Sequence, residues 1–133
     1  MIMSGNAKFI MLVSMLFLHI VDDYYFQGIL AQLKQRKWWE ENAPNPLYKN
    51  DYIIALAEHA FSWSCMVHIP AFILFWNHEN AFPVFVLTFI LNWICHASID
   101  HIKANLLKIN LTTDQLLHIV QIVCTWFIYV NAM

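Results

Sequence analysis

Four apolar stretches of near membrane-spanning length, each holding a histidine and three of them also an aspartate well inside, constrain this chain more than any other feature. The stretches cover about residues 9–33, 51–77, 82–107 and 112–130. A membrane helix needs roughly 20 apolar residues, and each stretch is near that length. The chain has 133 residues, of which 60% are hydrophobic and only 12% charged. A soluble domain has roughly 45–50% apolar and 25% charged residues, so the bilayer is the expected solvent. Strands are disfavoured, because the chain has only two glycines and no alternating pattern that would build a closed barrel. The expected fold is therefore all-α, a single domain forming an up-down four-helix bundle integral to the membrane.

Orientation follows from the positive residues. Lys34, Arg36, Lys37 and Lys49 lie in the first connection, Lys103 and Lys108 around the third, and only Lys8 on the other side. The positive-inside rule puts those connections in the cytoplasm and both termini outside. Trp38 and Trp39 suit a headgroup-level segment, and Asn42-Ala43-Pro44-Asn45-Pro46 breaks any helix there. The first stretch reads as a retained span, since two aspartates follow it and no small-residue cleavage site is evident. Pro70 should kink the second helix, while Thr112 or Thr113 can cap the fourth. A net charge of −2 and the lack of a basic arm argue against nucleic acid as a partner. Cys65, Cys95 and Cys124 form no CxxC pair and read as small buried hydrophobes.

An ionisable residue at the centre of a membrane helix costs about 2.5–3.5 kcal/mol on insertion scales, so such residues need partners. His19, Asp23 and Gln27 share a helix face at four-residue steps. His96, Asp100 and Lys103 repeat the pattern on the third helix, and Asp114 and His118 reverse it on the fourth. His59 comes from the second, with Ser62 and Met66 along its side. At roughly 1.5 Å of rise per residue, His59 and His118 each lie about 15 Å from Lys49 and Lys108, and Asp100 about 12 Å from Lys108. Asp23 is about 16 Å and His19 about 22 Å from Lys34, and Asp114 about 9 Å from Lys108, on the same rise. One slab of an up-down bundle thus receives four histidines and three aspartates.

Metal binding uses that chemistry. His19, Asp23, His59, His96, Asp100, Asp114 and His118 are the candidate ligands, for one or two Zn²⁺ ions, with iron or manganese suited to the same donors. Asp23 or Asp100 is the candidate general base where it is not a ligand, and Gln27 or Lys103 the group that steadies a developing anion. A polar core that only fixes helix packing and a bis-histidine haem site are the competing readings. Asp22 points away from that face, and His68, His78 and His101 are expected at surface or interface positions.

The ordered motifs His19-x-x-x-Asp23-x-x-x-Gln27, His96-x-x-x-Asp100-x-x-Lys103 and Asp114-Gln115-x-x-His118, with His59 opening the second helix, resemble a group of small bacterial and phage membrane proteins catalogued as domain-of-unknown-function family 3307. The resemblance spans essentially the whole chain; Asp22 is an extra acid. It implies a multi-pass protein of the bacterial inner membrane and names no reaction. The expected function is a metal-dependent hydrolase acting on a membrane lipid or an amphiphilic phosphoester or amide. A non-catalytic metal-binding or ion-pathway protein and a membrane protein modulating a host complex are the alternatives. Association of copies into a homo-oligomer is left open.

Overall fold

The computed structural model describes residues 4–133, and they are helical with no strand among them. Helix α1 (Gly5–Ile20) starts at Ser4, whose side chain accepts the Ala7 N–H, and runs into a π-helical turn at Val21–Phe26. Short helices α2 (Leu30–Leu33) and α3 (Arg36–Asn42) and a 3₁₀ turn at Pro46–Tyr48 complete the first connection. Three long helices follow: α4 (Asp51–Phe75), α5 (Ala81–Ala104) and α6 (Leu111–Ala132).

The expected first helix over 9–33 stops short of that range. Gly28 adopts φ +48, a left-handed conformation that residues with a Cβ rarely take, and it breaks the helix after the π turn. The following residues fold back against α4. The connection also holds more helix than expected, because α3 finishes at Asn42, before the prolines. Helix α5 ends at Ala104 rather than 107, since Asn105 turns to the connection, accepting the Arg36 N–H at 2.6 Å and donating to the Lys34 carbonyl at 3.0 Å. The cap of α6 is Asn110, which accepts the Thr113 N–H at 2.9 Å, and not either threonine.

Three helical segments, Gly5–Phe26, Ala81–Ala104 and Leu111–Ala132, are long and apolar enough to cross a membrane. Only between 17% and 28% of their apolar windows is buried within the protein, so their outer faces, such as Phe9, Phe17, Leu87 and Phe127, are hydrophobic and exposed. That pattern suits lipid and not water. The expectation of four such spans is met in three by composition. The 25-residue α4 differs because Glu58, His59, Ser62, Ser64 and His68 lower its apolarity. It packs against both α1 and α5 and buries His59, Ala60, Trp63, Ser64, Val67, His68 and Ala71.

The apolar core, formed by Met11, Met15, Trp63, Val67, Ala71, Phe75, Ile122 and Tyr129, occupies the half of the bundle near the chain termini. Beside it runs a polar seam. Asn92 donates to Thr125 Oγ1 at 2.7 Å, Gln121 donates to Asn92 Oδ1 at 2.7 Å, and Thr88 shares a 3.0 Å hydrogen bond with Tyr129. Such bonds average about 0.6 kcal/mol each between membrane helices, so the seam holds α5 to α6. His68 belongs to it and is fully buried at the interface of α4 and α5, outside the donor groups; of the surface or interface positions expected for it, the structure shows the second. Its ring lies 2.7 Å from the Ser64 carbonyl and 3.2 Å from Thr88 Oγ1, partners on its own helix and on α5. Cys95 and Cys124, expected to be buried, are exposed on the outer faces of α5 and α6.

Candidate metal centre

The first wall of the centre is the π turn. A π turn carries one residue more per turn than an α-helix, and such turns are frequent at functional sites. Here it turns two successive carboxylates inward, and both Asp22 and Asp23 are buried. Asp22 accepts the Ser62 hydroxyl at 2.7 Å on the α4 side, so it is an interior residue without facing the centre. Asp23 Oδ1 lies 3.3 Å from His59 Nε2, across the helix interface.

Around His59 Nε2 the donors converge. His96 Nε2 is 3.2 Å away and Asp100 Oδ2 is 3.3 Å away, while His96 Nε2 and Asp100 Oδ2 are 3.8 Å apart. A second set meets at His118 Nε2, with Asp100 Oδ1 at 3.3 Å and Asp114 Oδ1 at 3.5 Å. Asp100 therefore offers one oxygen to each set. Three groups of donors each lie within 4.8 Å: Asp23, His59 and His96; His96, Asp100 and His118; Asp23, Asp114 and His118. Every pair of groups shares a residue, and all six residues are buried. These buried groups can hold a metal ion.

Several of these spacings lie near those expected between the donors of one metal ion. An N–H···O bond has its mode near 2.9–3.0 Å and rarely exceeds 3.2 Å. Zinc bonds of about 2.0–2.2 Å in a tetrahedron separate neighbouring donors by roughly 3.3–3.5 Å. The spacings about His59 and His118 fall mostly at the second value. The lysine contacts fall well below it, at 2.6 Å for Lys34 to Asp100 Oδ2 and 2.7 Å for Lys103 to Asp114 Oδ2. Asp114 Oδ1 has no hydrogen-bond partner although it is buried, and neither do the Nδ1 atoms of His59, His96 and His118. With the proton on Nδ1, each ring presents its Nε2 lone pair to the centre.

His19 is placed differently from the other three histidines. Its Nδ1 accepts the Trp63 indole N–H at 2.7 Å, which leaves the proton on Nε2, 3.1 Å from Gln115 Oε1. Gln115 in turn donates to Asp23 Oδ2 at 2.9 Å and Asp114 Oδ2 at 3.1 Å. Both His19 nitrogens are thus engaged, and the ring acts on the centre by orienting the amide that holds two carboxylates. The indole of Trp63 stacks on His96 at 4.2 Å between centroids, and His96 stacks on His118 at the same separation.

Gln27 does not reach the centre: its amide donates to the Asp23 backbone carbonyl, because the extra residue of the π turn rotates it off the face shared by His19 and Asp23. Lys103 does, through Asp114. Trp63, Lys34 and, as a link between donors, Gln115 are the residues the spacing argument passed over. Lys34 was a loop charge in that argument; the fold-back after Gly28 brings it to Asp100 across 66 residues. Gln115 lies next to Asp114 in the third motif and could have been noticed there, whereas no local pattern marks Trp63 or Lys34. His78 and His101 are partly exposed and lie outside the donor groups, with His101 stacked on Tyr52.

The role of Gln115 makes a direct expectation. Replacing partners that orient metal ligands costs about 10–100-fold in metal affinity. Gln115→Leu is expected to lose zinc affinity in that range without losing the helical fold, as measured by competition with a chromophoric chelator. Wild-type affinity in that variant would show that the amide does not order Asp23 and Asp114.

Comparison of the chain with protein-family models, with curated proteins and with solved structures finds no match in any of the three.

Proposed function

We propose that the chain is a four-span protein of the bacterial inner membrane, with both termini on the non-cytoplasmic side, that holds zinc between its helices and hydrolyses an amphiphilic substrate from the cytoplasmic face. The observation that carries this reading is the donor spacing of 3.2–3.5 Å around His59 and His118, which matches tetrahedral zinc ligation better than hydrogen bonding. The likeness to domain-of-unknown-function family 3307 adds the order of the motifs and is consistent with a bacterial or phage membrane protein. Bis-histidine haem ligation fits poorly, because carboxylate oxygens crowd both His59 and His118.

The two donor sets are not equivalent. His59 Nε2 has Asp23, His96 and Asp100 within 3.3 Å, enough donors for a site of the closed, four-ligand type. His118, Asp100 and Asp114 supply three, which leaves a fourth position in the manner of catalytic zinc. That difference favours catalysis over simple metal storage. A divalent ion held there would polarise a phosphoryl or carbonyl oxygen and bring the pKa of its water to about 7. The chain's own part is to hold the donors, exclude bulk water and place two ammonium groups at the rim. Lys34 is 12% exposed and Lys103 33% exposed, against 3% for Asp100 and none for Asp114. They face the connections that would meet the headgroup layer and are placed to steady a developing anion, the part expected of Gln27 or Lys103 from the motifs.

The test is turnover of a panel of short-chain phospholipids and acyl amides by zinc-loaded protein in detergent. Wild-type protein is expected to release product, and Asp114→Asn, which removes a direct donor, to lose at least about 10–100-fold in rate, no less than follows from removing a partner that only orients a ligand. Zinc-loaded protein with no turnover of any substrate, or turnover equal in Asp114→Asn, would leave a metal-binding protein without this activity.

A further inference from the structure

We infer that the rim of the centre is a phosphoryl-group subsite, and that a second metal ion enters only together with a phosphate dianion. This inference deepens the metal-centre reading and depends on it.

Charge balance carries the argument. Asp22, Asp23, Asp100 and Asp114 are all buried, and Lys34 and Lys103 each sit on one of their oxygens. With neutral histidines and one divalent ion, four carboxylates and two ammonium groups sum to zero. Protonation of Asp22, which already accepts the Ser62 hydroxyl, would leave a single positive charge. A second divalent ion raises the total to two or three positive charges in a region where unpaired charge is strongly disfavoured. A phosphate monoester dianion cancels two of them.

Geometry says where that dianion fits. The closed set around His59 is the natural place for the first ion. The three-donor set around His118 contains the buried, unpartnered Asp114 Oδ1. Directly beside it, Lys103 Nζ lies 2.7 Å from Asp114 Oδ2, while Lys34 Nζ lies 2.6 Å from Asp100 Oδ2, the oxygen of that carboxylate that faces His59. One flexible ammonium group, that of Lys103, thus borders the open position on the side of the connections, and a second, that of Lys34, is held on the far oxygen of Asp100. Both are point charges able to transfer from a carboxylate to a phosphoryl oxygen. An anion bound there is shared by the metal and Lys103, with Lys34 one carboxylate away.

The experiment is equilibrium dialysis of metal-free, detergent-solubilised full chain against micromolar zinc, with zinc and phosphorus per chain read by elemental analysis. Three arms are run: zinc alone, zinc with inorganic phosphate, and zinc with dihexanoyl phosphatidic acid. One zinc per chain is expected in the first arm. Two zinc and one phosphorus are expected with phosphatidic acid, and also with inorganic phosphate if the phosphoryl group suffices without the lipid. Lys103→Gln is expected to retain the first zinc, which reports an intact fold, and to need at least tenfold more phosphoryl ligand for the second. Lys103→Arg is expected to restore it. Two zinc per chain without phosphate, one zinc in all three arms, or an unshifted second zinc in both Lys103→Gln and Lys34→Gln would overturn the inference while leaving the first metal site standing. No zinc in any arm would overturn the metal-centre reading itself.

Discussion

His96→Ala protein, purified in detergent and saturated with zinc before desalting, is expected to retain less than about one ion per three chains, whereas wild type retains at least one, as loss of a direct zinc donor predicts. His96 carries this expectation because it belongs to two of the three donor groups and its ring is stacked between Trp63 and His118. Its removal opens the closed set and loosens the ring that orients His118. A companion variant, Asp100→Asn, separates the metal from the fold. Asp100 meets Lys34, His59 and His118 at once, and removing one partner of a buried charge pair costs about 3–5 kcal/mol. Asp100→Asn is therefore expected to unfold earlier than wild type even without zinc, by circular dichroism during heating, and to gain little from added zinc. Undiminished zinc content in His96→Ala would remove the centre from between these helices.

Trp63→Ala is the substitution expected to damage the fold most. The residue is fully buried at the meeting of α1, α4, α5 and α6, where the apolar core gives way to the donor cluster. Loss of so large a buried side chain costs about 3–5 kcal/mol in cavity and transfer terms. It also strands His19 Nδ1 without its donor, a further cost of about 1–3 kcal/mol. Trp63→Phe discriminates the two contributions, because a phenyl ring still stacks on His96 but cannot donate to His19. Denaturation of metal-free protein by heat is expected to rank wild type, Trp63→Phe and Trp63→Ala in falling order. The Phe variant is also expected to gain less from zinc, since His19 no longer holds Gln115. Equal zinc stabilisation in wild type and Trp63→Phe would show that the relay from Trp63 through His19 to Gln115 leaves the donors unaffected.

The candidate site was largely legible in the chain because its residues recur at helical spacing. Steps of four, such as His96 to Asp100 and Asp114 to His118, place both groups on one face whatever the neighbours do. A shared depth then follows from the rise per residue. That reasoning fails where the helix departs from its regular period. The π turn at Val21–Phe26 buries Asp22 beside Asp23 and turns Gln27 aside, and no simple rule of spacing marks where such a turn forms. It also fails where a backbone break redirects the chain, as at Gly28, beyond which Lys34 comes to Asp100. Which kind of position His68 takes was open for a related reason: Thr88 and the aromatic residues that enclose it lie on other helices.

Composition and local periodicity are enough to settle that this chain is helical, that several helices can cross a membrane, and that histidine and aspartate meet at one depth. These follow from hydrophobicity and from the fixed rise and turn of a helix, which depend on no distant residue. The division of labour among those residues came only with the tertiary structure. His19 became an orienting group and Asp100 a shared donor because rotation of one helix against another decides which atoms face each other. The contacts that decide it, Trp63 to His19, Gln115 to Asp23 and Lys34 to Asp100, join residues 44, 92 and 66 positions apart, beyond the reach of any local pattern. The stretch from His19 to Gln27 shows both sides: its spacing pointed to a wall of a site with Asp23 and not Asp22 facing inward, and packing engaged His19 with Trp63 and Gln115 and turned Gln27 aside.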